Sequence, residues 1–135
     1  MKSFKFELSF PGDLKSVRAF CMGVRDLLRN VWPDKEQLVQ DVELCLMEAL
    51  SNVIFHAHKD RPQKIIRFQI LGRQKDVVIR IYDSGIGFNL DRAAVQLPAL
   101  QDDHGRGLFV ILHLMDDVSY QKNKQWNYLQ MVKKF

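Results

Sequence analysis

The chain has 135 residues, 47% of them hydrophobic and 27% charged, with a formal net charge of +4. That length suits one domain and excludes two ordinary ones, and the composition excludes a disordered or collagen-like chain. The basic excess raises nucleic-acid binding as a first expectation.

Phe4, Phe6, Leu8 and Phe10 alternate with Lys5, Glu7 and Ser9, which predicts a strand with four apolar side chains on one face. Pro11-Gly12 ends it, and Asp13 is placed to cap a helix. Leu14, Val17, Cys21, Val24, Leu28 and Val31 recur at three- and four-residue steps, an amphipathic helix that Pro33 stops. A second helix is expected from about Pro33-Asp34 to somewhere between His58 and Pro62, burying Leu38, Val42, Cys45, Leu46, Ala49, Leu50 and Val53. Ile65 to Leu71 and Val77 to Tyr82 read as a hairpin. Phe88 to His104 has no clear period and contains Pro98. A helix follows from about Gly107 to Met115, then strands near Val118 to Gln121 and Tyr128 to Val132.

This order predicts an α+β, two-layer sandwich: a mixed, mostly antiparallel sheet with helices on one face, in a single domain over 1–135. Cys21 and Cys45 are too few for a disulfide framework, and both sit among apolar helical neighbours, so buried free thiols in a reducing compartment are expected. The N-terminus breaks its apolar residues with charges and lacks the apolar stretch of a signal peptide. No apolar run approaches the roughly eighteen residues of a membrane span. A cytoplasmic protein is the resulting expectation. Met22, Met47 and Met115 are expected to fill the core.

Three segments carry possible chemistry. Glu48, Asn52 and His56 recur every four residues, on one stripe of the second helix. A carboxylate and an amide one turn apart can hold a cation beside a polarised nucleophile, although polar residues at this spacing also form solvated helix faces. Asp83-Ser84-Gly85-Ile86-Gly87 directly follows a strand. Its aspartate can accept a bond from an exocyclic amino group and its glycines admit a flat ligand, while the same residues also make an ordinary turn. His104-Gly105-Arg106-Gly107-Leu108 opens the last helix, where backbone N–H groups suit an anion or simply join a loop to a helix. His56-Ala57-His58 with Asp60 lacks the further clustered ligands of a zinc site.

In this order, Glu48-Ala-Leu-Ser-Asn52, Asp83-Ser-Gly85-Ile-Gly87 and Gly105-Arg-Gly107-Leu108 resemble the N, G1 and G2 boxes of the GHKL ATPases, which share the Bergerat fold. The run from Gly105 to Tyr120, with the overall length, is similar to the anti-sigma-factor and serine-protein-kinase group of bacterial partner-switching systems. The resemblance spans Phe4 to Phe135. It implies that Glu48 acts as general base and that Asn52 coordinates Mg²⁺ on the phosphates of ATP. It implies further that Asp83 binds the adenine amino group, that Gly85 and Gly87 shape the base pocket, and that Gly105, Arg106, Gly107 and Leu108 cradle the phosphates. Residues 88–104 would form the ATP lid. The implied activity is transfer of the γ-phosphoryl group to a serine or threonine of a STAS-domain anti-anti-sigma protein. A sigma factor or similar target would be sequestered, and a homodimer is expected.

Two departures from the group's pattern bear on the site. Where some members carry an arginine ahead of the G2 glycines, this chain has Asp102-Asp103-His104, with Arg106 as a substitute charge or a solvent-facing residue. The stretch Trp126-Asn127-Tyr128-Leu129-Gln130-Met131 lacks the glycine-threonine pair often found there, which removes one polar group expected near the nucleotide.

Three other readings compete. An ATP-holding sequestration module would need no turnover, whereas Glu48 and Asn52 favour an enzyme. A histidine kinase acting in trans is disfavoured because no phosphoacceptor helix pair precedes Phe4. Direct nucleic-acid or membrane binding is disfavoured because the basic residues are scattered and no span is present.

Overall fold

The structure, a computed structural model, describes residues 3–57, 64–85, 87 and 106–135. Among them the elements run β1 (Phe4–Pro11), α1 (Leu14–Val31), α2 (Glu36–Asn52), a π-helical turn (Val53–Ala57), β2 (Ile65–Gly72), β3 (Asp76–Asp83), α3 (Arg106–Leu114), β4 (Asp117–Gln121) and β5 (Asn127–Lys134). The strands form one sheet in the order β1-β2-β3-β5-β4, and every described pairing is antiparallel. The expected sandwich is therefore present, and the mixed sheet narrows to an antiparallel one.

Each strand's alternation decides which face it buries. Ile66, Phe68 and Ile70 of β2 and Val77, Ile79 and Ile81 of β3 meet Leu129 and Met131 of β5 and Val118 of β4. The buried stripes of α1 and α2, with Ile111 of α3, close over this face in one core. Phe20 stacks on Phe10 and meets Phe68 edge-on, both with ring centroids 4.6 Å apart. The strand β1 is less covered than its pattern predicts. Phe10 is buried, but Phe6 and Leu8 are 38% and 40% exposed, because β1 is an edge strand anchored at its ends, by Phe10 on Phe20 and by Phe4 on Trp32.

Local chemistry sets the helix boundaries. Asp13 caps α1, its Oδ1 accepting from the Ser16 amide at 2.8 Å. Pro33-Asp34 form a turn rather than the start of α2, which begins at Glu36. Arg29 at the end of α1 donates to the Glu36 carboxylate and ties the two helices across that turn. At the other end of the core, Lys133 Nζ donates to Leu114 O at 2.7 Å, so a cation satisfies a terminal carbonyl of α3, and it lies 3.8 Å from Asp41 of α2.

On the outer face Arg67 lies over Tyr82 and Trp126, 5.5 and 5.4 Å from their ring centroids. A cleft of about 150 Å³ beside it is lined by Glu7, Ser9, Gln69 and Tyr82, with the sheet between it and the helices. No helix among the described residues is long and apolar enough to cross a membrane.

Met22 corrects one expectation. It is 54% exposed, since it lies one position off the buried stripe of α1, whereas Met115 is buried and Met47 packs partly against the core. Cys21 and Cys45 are buried free thiols as expected. Burial pushes each up to about 12, aided by the nearby charges of Glu43 for Cys21 and Asp41 for Cys45. The thiolate is the reactive form, so both cysteines should resist a thiol reagent at neutral pH in the native protein and react fully once it unfolds. Time-resolved titration with a chromogenic disulfide, with and without denaturant, checks this; rapid native labelling of either cysteine would contradict the burial.

Candidate functional site

Glu48 and Asn52 sit one turn apart near the C-terminal end of α2, both half-buried, on the side of the helix next to the core stripe of Leu46, Ala49 and Leu50. After Asn52 the helix widens into the π turn Val53–Ala57. The side chain of His56, the expected third member of the stripe, lies outside the described residues, as do His58 and Asp60. Among the described residues no group of His, Cys, Asp or Glu is clustered to hold a metal ion by itself. That result does not bear on Asn52, whose ligand would be an amide oxygen.

Helix α3 packs directly against α2. Gly107 in its first turn is buried, and a Cβ placed there would lie 2.6 Å from Glu48 Oε2 and 3.4 Å from Glu48 Cβ. Glycine leaves room for the carboxylate as it stands, and a Cβ here would displace its flexible end. The first turn of α3 therefore lies directly against the Glu48 carboxylate. Leu108 follows, half-buried; Gly105 and the proposed lid 88–104 lie outside the described residues, and of Arg106 only the backbone is described.

Asp83 is the last residue of β3, one position beyond the expected strand end, and it points to the helix side with the core residues Ile79 and Ile81. It is 2% exposed. A buried carboxylate needs partners, and Oδ1 has two: Gly85 N at 2.9 Å and Asn127 Nδ2 at 3.2 Å. The Asn127 amide also donates to Gly85 O at 2.9 Å. Lys64 Nζ holds Ser84 O at 3.0 Å from the other side. Gly87 has φ +76, a left-handed conformation that a side chain would strain, and a Cβ there would come within 3.1 Å of Tyr120 Oη and of Lys122 Cε. The residues after Asp83 thus form a turn bonded to the strand ends beneath it.

Asn127 is the residue that sequence reasoning missed. It is 4% exposed and directly opposite Asp83 in the β3–β5 register. The absent glycine-threonine pair had suggested a missing polar group on this strand; Asn127 supplies one. Its signal was the parity it shares with Leu129 and Met131, which puts all three on the helix side.

The site comprises a carboxylate and an amide on one helix, a glycine-bordered helix N-terminus against that carboxylate, and a buried aspartate at the end of a central strand. Residues 10–133 match the family model for the histidine kinase-like ATPase domain. The chain belongs to that family. It is 29% identical over 108 residues to the serine/threonine-protein kinase BtrW of Bordetella bronchiseptica, covering 77% of this chain and 75% of that one. It is 25% identical over 129 residues to the anti-sigma F factor of Clostridium novyi, covering 93% and 90%. Among solved structures, the SiaB-SiaC complex from Pseudomonas aeruginosa has a chain of the same fold, with a TM-score of 0.68 at 16% identity over 94% of this chain and 88% of that one.

Proposed function

We propose that this protein is an ATP-dependent serine/threonine protein kinase of a partner-switching system, which phosphorylates a STAS-domain anti-anti-sigma protein and sequesters a sigma factor or similar target. The observation that carries this reading is the Glu48 carboxylate seated against Gly107 at the N-terminus of α3. Helix N-termini are anion sites, so the phosphates of ATP belong at the backbone of Gly105, Arg106, Gly107 and Leu108, and a carboxylate beside them stands where an attacking hydroxyl must lose its proton. A module that only stored nucleotide would have no use for a base there.

Asp83 accepts a hydrogen bond from the adenine amino group, with Gly85 and Gly87 leaving the pocket open to a flat ring. Asn52 offers its side-chain oxygen to Mg²⁺, which when bound neutralises phosphate charge. Glu48 takes the proton of the partner's hydroxyl as its oxygen bonds to the γ-phosphorus; the bond to the β–γ bridging oxygen breaks, and ADP leaves. The protein's share of the work is positioning and charge. Dimerisation belongs to the same reading, and the exposed Phe6 and Leu8 on the edge strand β1 give a second copy an apolar surface.

Gly107, a backbone position of the proposed phosphate cradle, tests the carrying observation while leaving the Glu48 side chain chemically intact. In Gly107→Ala the new methyl must push the Glu48 carboxylate aside, a small steric change because that carboxylate ends a flexible side chain. Phosphoryl transfer should fall by about tenfold or more, since small misplacements of a catalytic group are costly, while the melting temperature moves little. Transfer at the wild-type rate would remove the α2–α3 contact from the mechanism. Recovering partners from native lysate with and without ATP, then mapping phosphosites on them, tests the substrate class; a recovered partner with no phosphorylated serine or threonine would leave a sequestration module instead.

A further inference from the structure

We propose that Asn127 is the positioning residue that aims the Asp83 carboxylate and makes the pocket prefer a base with an exocyclic amino group over one with an exocyclic oxygen. The proposal rests on the reading of Asp83 as the base acceptor.

The two neighbouring cross-strand pairs on the helix side of β3 and β5 are apolar: Ile81 opposes Leu129 and Ile79 opposes Met131. At the end of this ladder the pair becomes Asp83 and Asn127, both buried. A buried amide is costly unless its hydrogens are used, and here both are: Nδ2 donates to Asp83 Oδ1 at 3.2 Å and to Gly85 O at 2.9 Å. Both partners are acceptors, so the nitrogen, and not the amide oxygen, must point at them. Gly85 N returns to the same Oδ1 at 2.9 Å, closing a ring of three bonds through strand β3, the turn and strand β5.

Two consequences follow. With both Nδ2 hydrogens engaged, this nitrogen has none left for a base, so Asn127 acts through Asp83. With two described donors on Oδ1, the carboxylate is tethered at that oxygen, and Oδ2 is assigned to the ligand. An oxygen in that position attracts an N–H and repels a carbonyl, which separates a 6-aminopurine from a 6-oxopurine. A hydroxyl at 127, with one hydrogen, could serve only one of the two acceptors.

The experiment measures affinity for ATP and for GTP, each with Mg²⁺, by calorimetry on wild type, Asn127→Ala, Asn127→Thr and Asp83→Asn, with thermal melts of the nucleotide-free proteins. Losing one or two such bonds should weaken ATP by about tenfold in Asn127→Ala and by less in Asn127→Thr, with GTP little changed, so that the ATP:GTP preference narrows. A folded Asn127→Ala that keeps the wild-type preference, or that weakens both nucleotides equally, overturns the proposal while a loss in Asp83→Asn leaves the base reading standing. Wild type that binds no ATP removes the base reading and this proposal together. Failure of both Asn127 variants to fold would make the residue purely structural and overturn it as well.

Discussion

Glu48→Ala should bind ATP with near wild-type affinity and transfer its γ-phosphoryl group about 10² to 10⁴ times more slowly, the range a positioned general base supplies. The carboxylate lies against the first turn of α3, where it faces the proposed phosphate site without being one of its N–H donors. Removing it takes away the proton acceptor, and it takes away a negative charge that would otherwise repel the triphosphate, so affinity has no reason to fall. Glu48→Gln isolates the charge from the shape: it keeps the packing against Gly107 and should be as slow as alanine. Single-turnover transfer on the recovered partner, alongside calorimetric ATP binding, separates the two quantities. Full transfer by either variant would end the base assignment.

Asp83→Asn should lose nucleotide affinity by about 10- to 100-fold, the span expected when a hydrogen bond to a charged group is replaced by a mismatch. The reason is the polarity of what surrounds it. Gly85 N and Asn127 Nδ2 are both donors, and both aim at Oδ1. An asparagine at 83 can turn its oxygen to them, but its NH₂ group then meets the adenine amino group, donor against donor. Turned the other way, the NH₂ group faces two protein donors in a buried setting. Neither rotamer serves both sides, so the loss appears in binding first. Calorimetric titration with ATP measures it, and a folded Asp83→Asn with wild-type affinity would place the base elsewhere.

Much of this site was legible in residues alone, because its chemistry is tied to short segments. Asp83-Ser84-Gly85 announces itself as a strand end followed by a turn, and Glu48 and Asn52 keep α-helical spacing whatever surrounds them. What escaped depended on neighbours far apart in the chain. Asn127 at the head of its strand resembles a turn residue; its role exists only because β5 inserts between β3 and β4, setting it opposite Asp83, 44 residues away. The π turn at Val53–Ala57 has no glycine or proline to betray it, so the segment reads as one uninterrupted α-helix. The glycine at 107 read as an anion loop, and its second duty, making room for Glu48, needed the packing of α3 on α2. Phe20 joins the core beside Cys21 although it lies off the six-residue stripe, because β1 and β2 bring Phe10 and Phe68 against it.

The basic excess that first suggested nucleic acid now has specific places in the structure. Lys64 holds the turn after Asp83, Lys133 satisfies the end of α3, and Arg29 joins α1 to α2. These cations stabilise the scaffold around the site, each through a carbonyl or carboxylate partner.

The activity proposed for this site is transfer of phosphate onto a protein hydroxyl. The most direct test incubates the wild-type protein with ATP, Mg²⁺ and the STAS-domain protein it captures from native lysate, and follows the intact mass of that partner. One added phosphate, on a serine or threonine, is expected with wild type and none on the same timescale with Glu48→Ala. An unmodified partner with wild type, or equal modification by both proteins, would contradict it.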